Sequence, residues 1–267
     1  MYVVALTRWA EGPREPELAA LAPLLGRNAY DARLVLAGPL PLVIARTDDR
    51  DRATDALARL RARGHGAVAC DETAVVSSSA MFAPRDFSFD AAPRAPPVLV
   101  VSAPARGERR LRAERALALV CATHDGDAEQ TIETRTRKLS LGRAALTGGL
   151  SFSKAVVNRE HRESSERERV LYLFHHDGAE PIFFCESRLR YGGLGARVAP
   201  TTIENFRRLL EALRAWAPGT LYSEHLLAAR RRAEISSLSA GAVARSNAGE
   251  TDLAAHLVAL AHRSGQL

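Results

Sequence analysis

Lysine is almost missing from this 267-residue chain: Lys138 and Lys154 are the only two among 37 basic residues. Cysteine is scarce as well. Cys70, Cys121 and Cys185 are far apart and odd in number, which argues against a disulfide framework or a zinc site and predicts reduced thiols. No stretch of about 18 uncharged apolar residues exists, so a membrane-spanning helix is excluded. The opening run Met1 to Trp9 has neither the basic region nor the long apolar core of a secretory signal, and reads as a strand. Together these absences predict a cytoplasmic protein. Catalytic signatures are missing too: there is no Gly-x-Ser-x-Gly elbow and no phosphate loop of the Walker type. No cofactor, metal or catalytic residue is expected, and no repeat at a solenoid period is found.

What is present is the composition of an ordinary globular protein, 46% hydrophobic and 25% charged, enough to bury a good core in two units. Net charge is +6. The Arg- and Ala-rich, Lys-poor balance matches a GC-rich bacterial genome, so basicity alone does not argue for nucleic acid, which needs its charge gathered on one face.

The first 90 residues alternate between short apolar runs and helical patterns. Tyr2 to Leu6 reads as a strand, and Pro16 to Leu25 as a helix stopped by Gly26. Leu34 to Leu36 and Leu42 to Ala45 read as a hairpin around Gly38-Pro39. Asp49 to Arg63 reads as a second helix with Ala53, Ala56, Leu57 and Leu60 on one face, and Ala67 to Cys70 as a closing strand. The order β-α-β-β-α-β predicts a ferredoxin-like domain over residues 1–90. A Pro-rich connector with a strand and a helix is expected over 91–130, with Phe87 and Phe89 in an extra strand, Val98 to Val101 in a buried strand and Glu108 to Cys121 helical.

From Thr131 the texture changes to short alternating segments, Thr131 to Leu139, Leu150 to Asn158, Arg169 to His175 and Pro181 to Glu186, the last two meeting at Asp177-Gly178. Thr201 and Glu204 have capping-box spacing ahead of the stripe Ile203, Phe206, Leu209, Leu210, Leu213 and Trp216, which Pro218-Gly219 ends. A curved sheet closed by one helix predicts a PH-like β domain over 131–230. Residues 231–267 read as a linker and a short helix bearing Leu253, Leu257 and Leu260, which either folds back or docks on a partner. The whole is expected to be an α+β protein.

Lys138-x-Ser140-x-Gly142-x-Ala144-x-x-Thr147-Gly-Gly149, then Ser165-Glu-Arg-Glu168 and Asn205-Phe206, resemble segments of a family of hypothetical bacterial proteins of unknown function. The resemblance covers the C-terminal half and extends more weakly over Asp31 to Asp71. It implies no activity.

Several constellations have ordinary structural explanations. Thr147-Gly-Gly149 reads as a turn or bulge, and Gly192-Gly-Leu-Gly195 as a loop before the capped helix. His175 and His176 read as exposed turn residues, Cys185 as a core side chain, and Asp48-Asp49 as charges at a helix start. Arg135, Arg137, Lys138 and Arg143, joined by Lys154, are the candidate anion-binding patch. The leading expectation is a non-enzymatic binding or scaffold protein with a protein partner. The alternatives are a binder of nucleic acid or anionic membrane through that patch, and a ligand-sensing regulator with an ACT-like N-terminal domain.

Overall fold

The computed structural model describes residues 1–26, 28–92, 95–138, 154–227 and 247–267. Strand β1 (Tyr2–Arg8) is followed by α1 (Arg14–Leu21), α2 (Ala29–Leu36), β2 (Leu42–Thr47), α3 (Arg50–Ala62) and β3 (Gly66–Asp71). These three strands form one sheet in the order β2-β1-β3, antiparallel throughout. Local chemistry starts the helices where it should: Asn28 accepts from the Asp31 amide at 2.9 Å, and Asp49 from the Asp51 and Arg52 amides at 2.8 and 3.2 Å.

The expected strand at Leu34 to Leu36 is instead the last turn of α2. Asn28 supplies the start signal that was passed over, and the helix buries Ala32 and Leu36 while Leu34 faces water. The sheet therefore has three strands, and a four-stranded ferredoxin-like sheet is not formed.

β4 (Asp86–Ala92), β5 (Ala95–Ala103) and β6 (Gly107–Leu111) make a second antiparallel sheet, so Phe87 and Phe89 do lie in an extra strand. The expected helix at Glu108 to Cys121 is not there. That stretch holds the end of β6, a short 3-10 turn at Ala113–Arg115 and the start of β7 (Ala116–Lys138). Its Arg, Leu and Ala favour helix locally, but Leu117 to Ala122 is buried on both faces of a sheet, and burial overrides propensity.

β7 pairs with β8 (Lys154–His175), which pairs with β9 (Ile182–Cys185). After α4 (Thr202–Trp216), β10 (Leu221–Leu226) returns to the far side of β7 and runs parallel to it. The segments expected as separate short strands from Leu150 to His175 thus belong to one long strand as far as they are described, and an all-antiparallel meander is not what forms. The boundary expected at 130–131 falls inside β7. α5 (Ala248–Arg263) ends the described chain.

The layers follow from the alternation of side chains along each strand. One face of the first sheet (Val4, Leu6, Ile44) packs on α1, α2 and α3, and its other face (Val3, Ala5, Val68) packs on Leu253, Leu257 and Ala261 of α5. The opposite side of α5 (Ala255, Val258, Ala259) lies on Ala118, Val120 and Tyr172 of the four-stranded sheet. The far face of that sheet, with Leu119, Cys121, Leu171 and Phe184, meets α4 and the β4-β5-β6 sheet through Phe206, Leu213 and Leu99. α5 is thus the shared filling between two sheets. Each large side chain fully buried there contributes about 1.5–3 kcal/mol. No helix among the described residues is long and apolar enough to cross a membrane.

Candidate functional site

The four-stranded sheet is lopsided. β10 pairs with β7 only over Ala118 to Ala122, and β9 with β8 only over Val170 to Leu173. β7 and β8 continue past both neighbours as a two-stranded ribbon of fourteen consecutive pairs, from Asp125↔Arg167 to Lys138↔Lys154. At about 3.3 Å per residue this arm is roughly 45 Å long. Among the described residues, neither of its outer edges has a third strand.

Register gathers charge along the arm. Near the body, Asp125, Asp127, Glu129 and Glu133 mix with Arg159, Arg162 and Arg167 of the facing strand. The last five pairs, Thr134↔Asn158 to Lys138↔Lys154, contain no carboxylate and four cations: Arg135, Arg137, Lys138 and Lys154. These four anion-site candidates are therefore brought together at one end of one ribbon, while Arg143 lies outside the described residues. Lys138 and Lys154 are register partners.

The other candidates fare differently. Leu253 and Leu257 are buried in the chain's own core, at 5% and 1% exposure, and Leu260 packs beside them. The tail helix docks in cis, so these leucines are not free for a partner. Its apolar face is matched by the open face of the first sheet, which would otherwise remain wet.

His175 is a correction of a second kind. It is not an exposed turn residue but the buried end of β8, paired with Ala116, and burial lowers its pKa with the charges of Arg115 and Arg109 assisting against Asp177. Cys185 lies opposite Val170, away from His175, and burial pushes its thiol up to about 12, as it does for Cys121. Neither sulfur is a thiolate nucleophile at neutral pH. Gly193 in the Gly192 to Gly195 turn has a packing reason: a Cβ there would sit 1.9 Å from the Phe87 carbonyl oxygen.

Three further features were hidden from sequence reasoning. The first is a buried polar node. Asp252 of α5, 2% exposed, accepts from the Tyr172 hydroxyl at 2.7 Å and the Ser78 amide at 2.8 Å. His124 Nε2 lies 2.6 Å from the same hydroxyl. Because the single phenolic proton goes to Asp252, His124 is the donor in that contact. Burial, then the Asp252 charge, drives the Tyr172 pKa far upward, so the phenol stays protonated. The node ties the 77–79 turn, β8 and α5 together across 174 residues of sequence. It is a satisfied structural clamp.

The second is a set of arginines beside β6. Arg106 and Arg109 share Glu180, Arg109 also stacks 4.3 Å over the Phe82 ring, and Arg115 pairs with Asp177. Each of these guanidiniums already faces a carboxylate, which leaves little charge for a ligand. The only sequence signal was the density of arginine from Arg106 to Arg115, which also reads as helix propensity.

The third is a cleft of about 350 Å³ where β2, β10 and the first half of α5 converge, floored by Leu253, Ala254 and Leu257. No group of three or more His, Cys, Asp or Glu residues suited to a metal ion occurs among the described residues. Comparison with protein-family models, with curated proteins and with solved structures finds no match to this chain.

Proposed function

We propose that the chain is a non-enzymatic binding protein whose contact element is the β7–β8 arm, and that it takes a protein partner by strand addition along an open edge of that arm. The supporting observation is the register: fourteen pairs extend beyond the last strand that flanks them. Among the described residues no third strand flanks this ribbon, and an extended segment of another chain can add to such an edge through backbone hydrogen bonds while side-chain pockets set the choice. The basic end favours a partner segment rich in Asp and Glu, because opposed charges steer encounter and disfavour basic competitors.

Replacing residues 126–166 by Asn-Gly closes β7 and β8 with a two-residue turn next to the Asp125↔Arg167 pair and leaves every core residue in place. Chemical cross-linking to proteins captured from the native cell should map to 125–138 and 154–168, fall with added salt, and vanish in the shortened chain. Capture that survives removal of the arm refutes this function. The four-cation end also suits nucleic acid. A labelled duplex that binds with a steep salt dependence, and loses it on R135E/R137E, would favour that alternative.

A further inference from the structure

We infer that the cleft between β2, β10 and α5 is a binding site for a small, uncharged, mainly apolar molecule. Interiors of folded proteins are packed with few voids larger than water. An indentation of about 350 Å³ falls at the lower end of the range that holds small ligands. Its position explains why it exists. β2 is an edge strand of the first sheet and β10 an edge strand of the four-stranded sheet, and α5 fills the space between these two sheets with small and aliphatic side chains. Where the two edges meet the first half of α5, Ala254 is too short to reach across.

The walls fix the chemistry of the ligand. Leu42 and Val43 come from β2, Leu226 from β10, and Leu253, Ala254 and Leu257 from the helix. Leu42, Leu226, Leu253 and Leu257 are all at or below 5% exposure, so the surface left for a ligand to cover belongs mainly to the half-buried Val43 and Ala254, set among aliphatic neighbours. The charged groups on the lining are one of each sign, Arg46 and Glu250. Arg46 is already paired with Glu72 at 3.4 Å. An anionic ligand would lose its hydration among leucines beside Glu250, with Arg46 already engaged by Glu72. An uncharged, mainly apolar one loses little, and the Thr251 hydroxyl on the same lining can meet a single hydroxyl or carbonyl group.

Because the three walls belong to the first sheet, the four-stranded sheet and the helix between them, an occupant adds contacts to all three at once. It therefore stabilises the docking of the first sheet on the rest of the chain. This is a ligand-linked property of the body, independent of the arm proposed above to bind a partner.

The test uses the full chain and two fluorescent probes that share a ring system, neutral N-phenyl-1-naphthylamine and its sulfonated relative 1-anilinonaphthalene-8-sulfonate. The neutral probe should bind saturably and raise the thermal midpoint, and the sulfonate should bind at least about tenfold more weakly, a difference of about 1.4 kcal/mol. Ala254→Phe and Val43→Phe fill the cleft from different walls. Each should reduce affinity for the neutral probe by about tenfold or more, while circular dichroism stays native. Two variants are used so that one folded protein remains if the other misfolds. The arm-shortened chain should bind the probe like the parent, which separates failure here from failure of the proposed function. No saturable binding by the parent, equal binding by both probes, or undiminished binding in a folded filled variant overturns the inference. So does concentration-dependent self-association of the parent that either filling variant abolishes, since a second copy would then be the occupant.

Discussion

β7 and β8 differ along their length, and the contrast shows how one ladder carries two kinds of sequence. Within the body, Leu117 to Ala122 faces Val170 to Phe174, and all these residues are buried, because α5 covers one side of the pair and α4 with the β4-β5-β6 sheet covers the other. Strands covered on both faces read as continuous apolar runs. Along the arm the same two strands are mainly charged and polar, with Ala128, Ile132 and Ala155 to Val157 interspersed. The backbone pairing is uninterrupted from Ala118 to Lys138, so hydrogen bonding alone does not mark the change. Composition does. Stability is concentrated where the strands are sandwiched, and the proposed contact element is the stretch beyond.

The contrast is broken most severely from the body side. Leu257→Ala removes a side chain held at 1% exposure between α5 and the first sheet, and a loss of roughly 2–5 kcal/mol is expected in denaturant unfolding. Gly193→Ala forces a methyl group onto the Phe87 carbonyl and should cost roughly 1–3 kcal/mol or more, measured in the same way, because backbone must move. Tyr172→Phe takes one donor from the buried Asp252 carboxylate, with an expected loss of about 1–3 kcal/mol. If it proves neutral, the node is not a clamp.

Smaller effects sharpen the comparison. His175 and His256 both have pKa values lowered chiefly by burial. His256 is satisfied as a neutral ring, donating from Nδ1 to the Asp252 carbonyl at 2.8 Å and accepting the Val76 amide at Nε2. The unfolded chain binds protons to these rings more readily than the folded one does. Their contribution is thus fully present above the ordinary histidine value near pH 6.5 and is lost as pH falls through the lower folded values. Thermal midpoints should drop from pH 7 to 5, less steeply in H175Q/H256Q. A parent whose midpoint rises on acidification contradicts this. The smallest effect belongs to the arm: closing it with Asn-Gly should change unfolding stability by no more than about 0.5 kcal/mol, as for other surface changes away from the core. A larger loss would mean that the arm is part of the folding unit.

Much of the local structure was legible beforehand. The Thr201 cap and the stripe from Phe206 to Trp216 announced α4, Asp49 announced α3, and the Leu253 to Leu260 spacing announced α5. Ile203, assigned to that stripe, is 63% exposed, since the first turn of α4 overhangs the core. The strand expected at Leu34 to Leu36 and the helix expected over Glu108 to Cys121 differ from the structure for one reason. Leu34 to Leu36 and Leu117 to Ala122 are short apolar runs, and a run of that length fits a helix or a strand equally until its neighbours are known. The candidate site was half legible: the basic residues were visible in the chain, but only the register of β7 on β8 collects four of them into the final pairs of one arm.

The amino-acid order by itself set the helix starts, the absence of a spanning segment and the switch from apolar to charged residues along β7 and β8. Such properties depend on caps, turn residues and periodicity acting within about a dozen residues. Tertiary structure alone decided that α5 is shared by two sheets, that Asp252 meets Tyr172, that β10 enters beside β7 in parallel, and that a cleft remains at the first half of α5. Those outcomes join residues from 80 to more than 200 positions apart. They are selected by which apolar faces must be covered, and that is a property of the assembled chain.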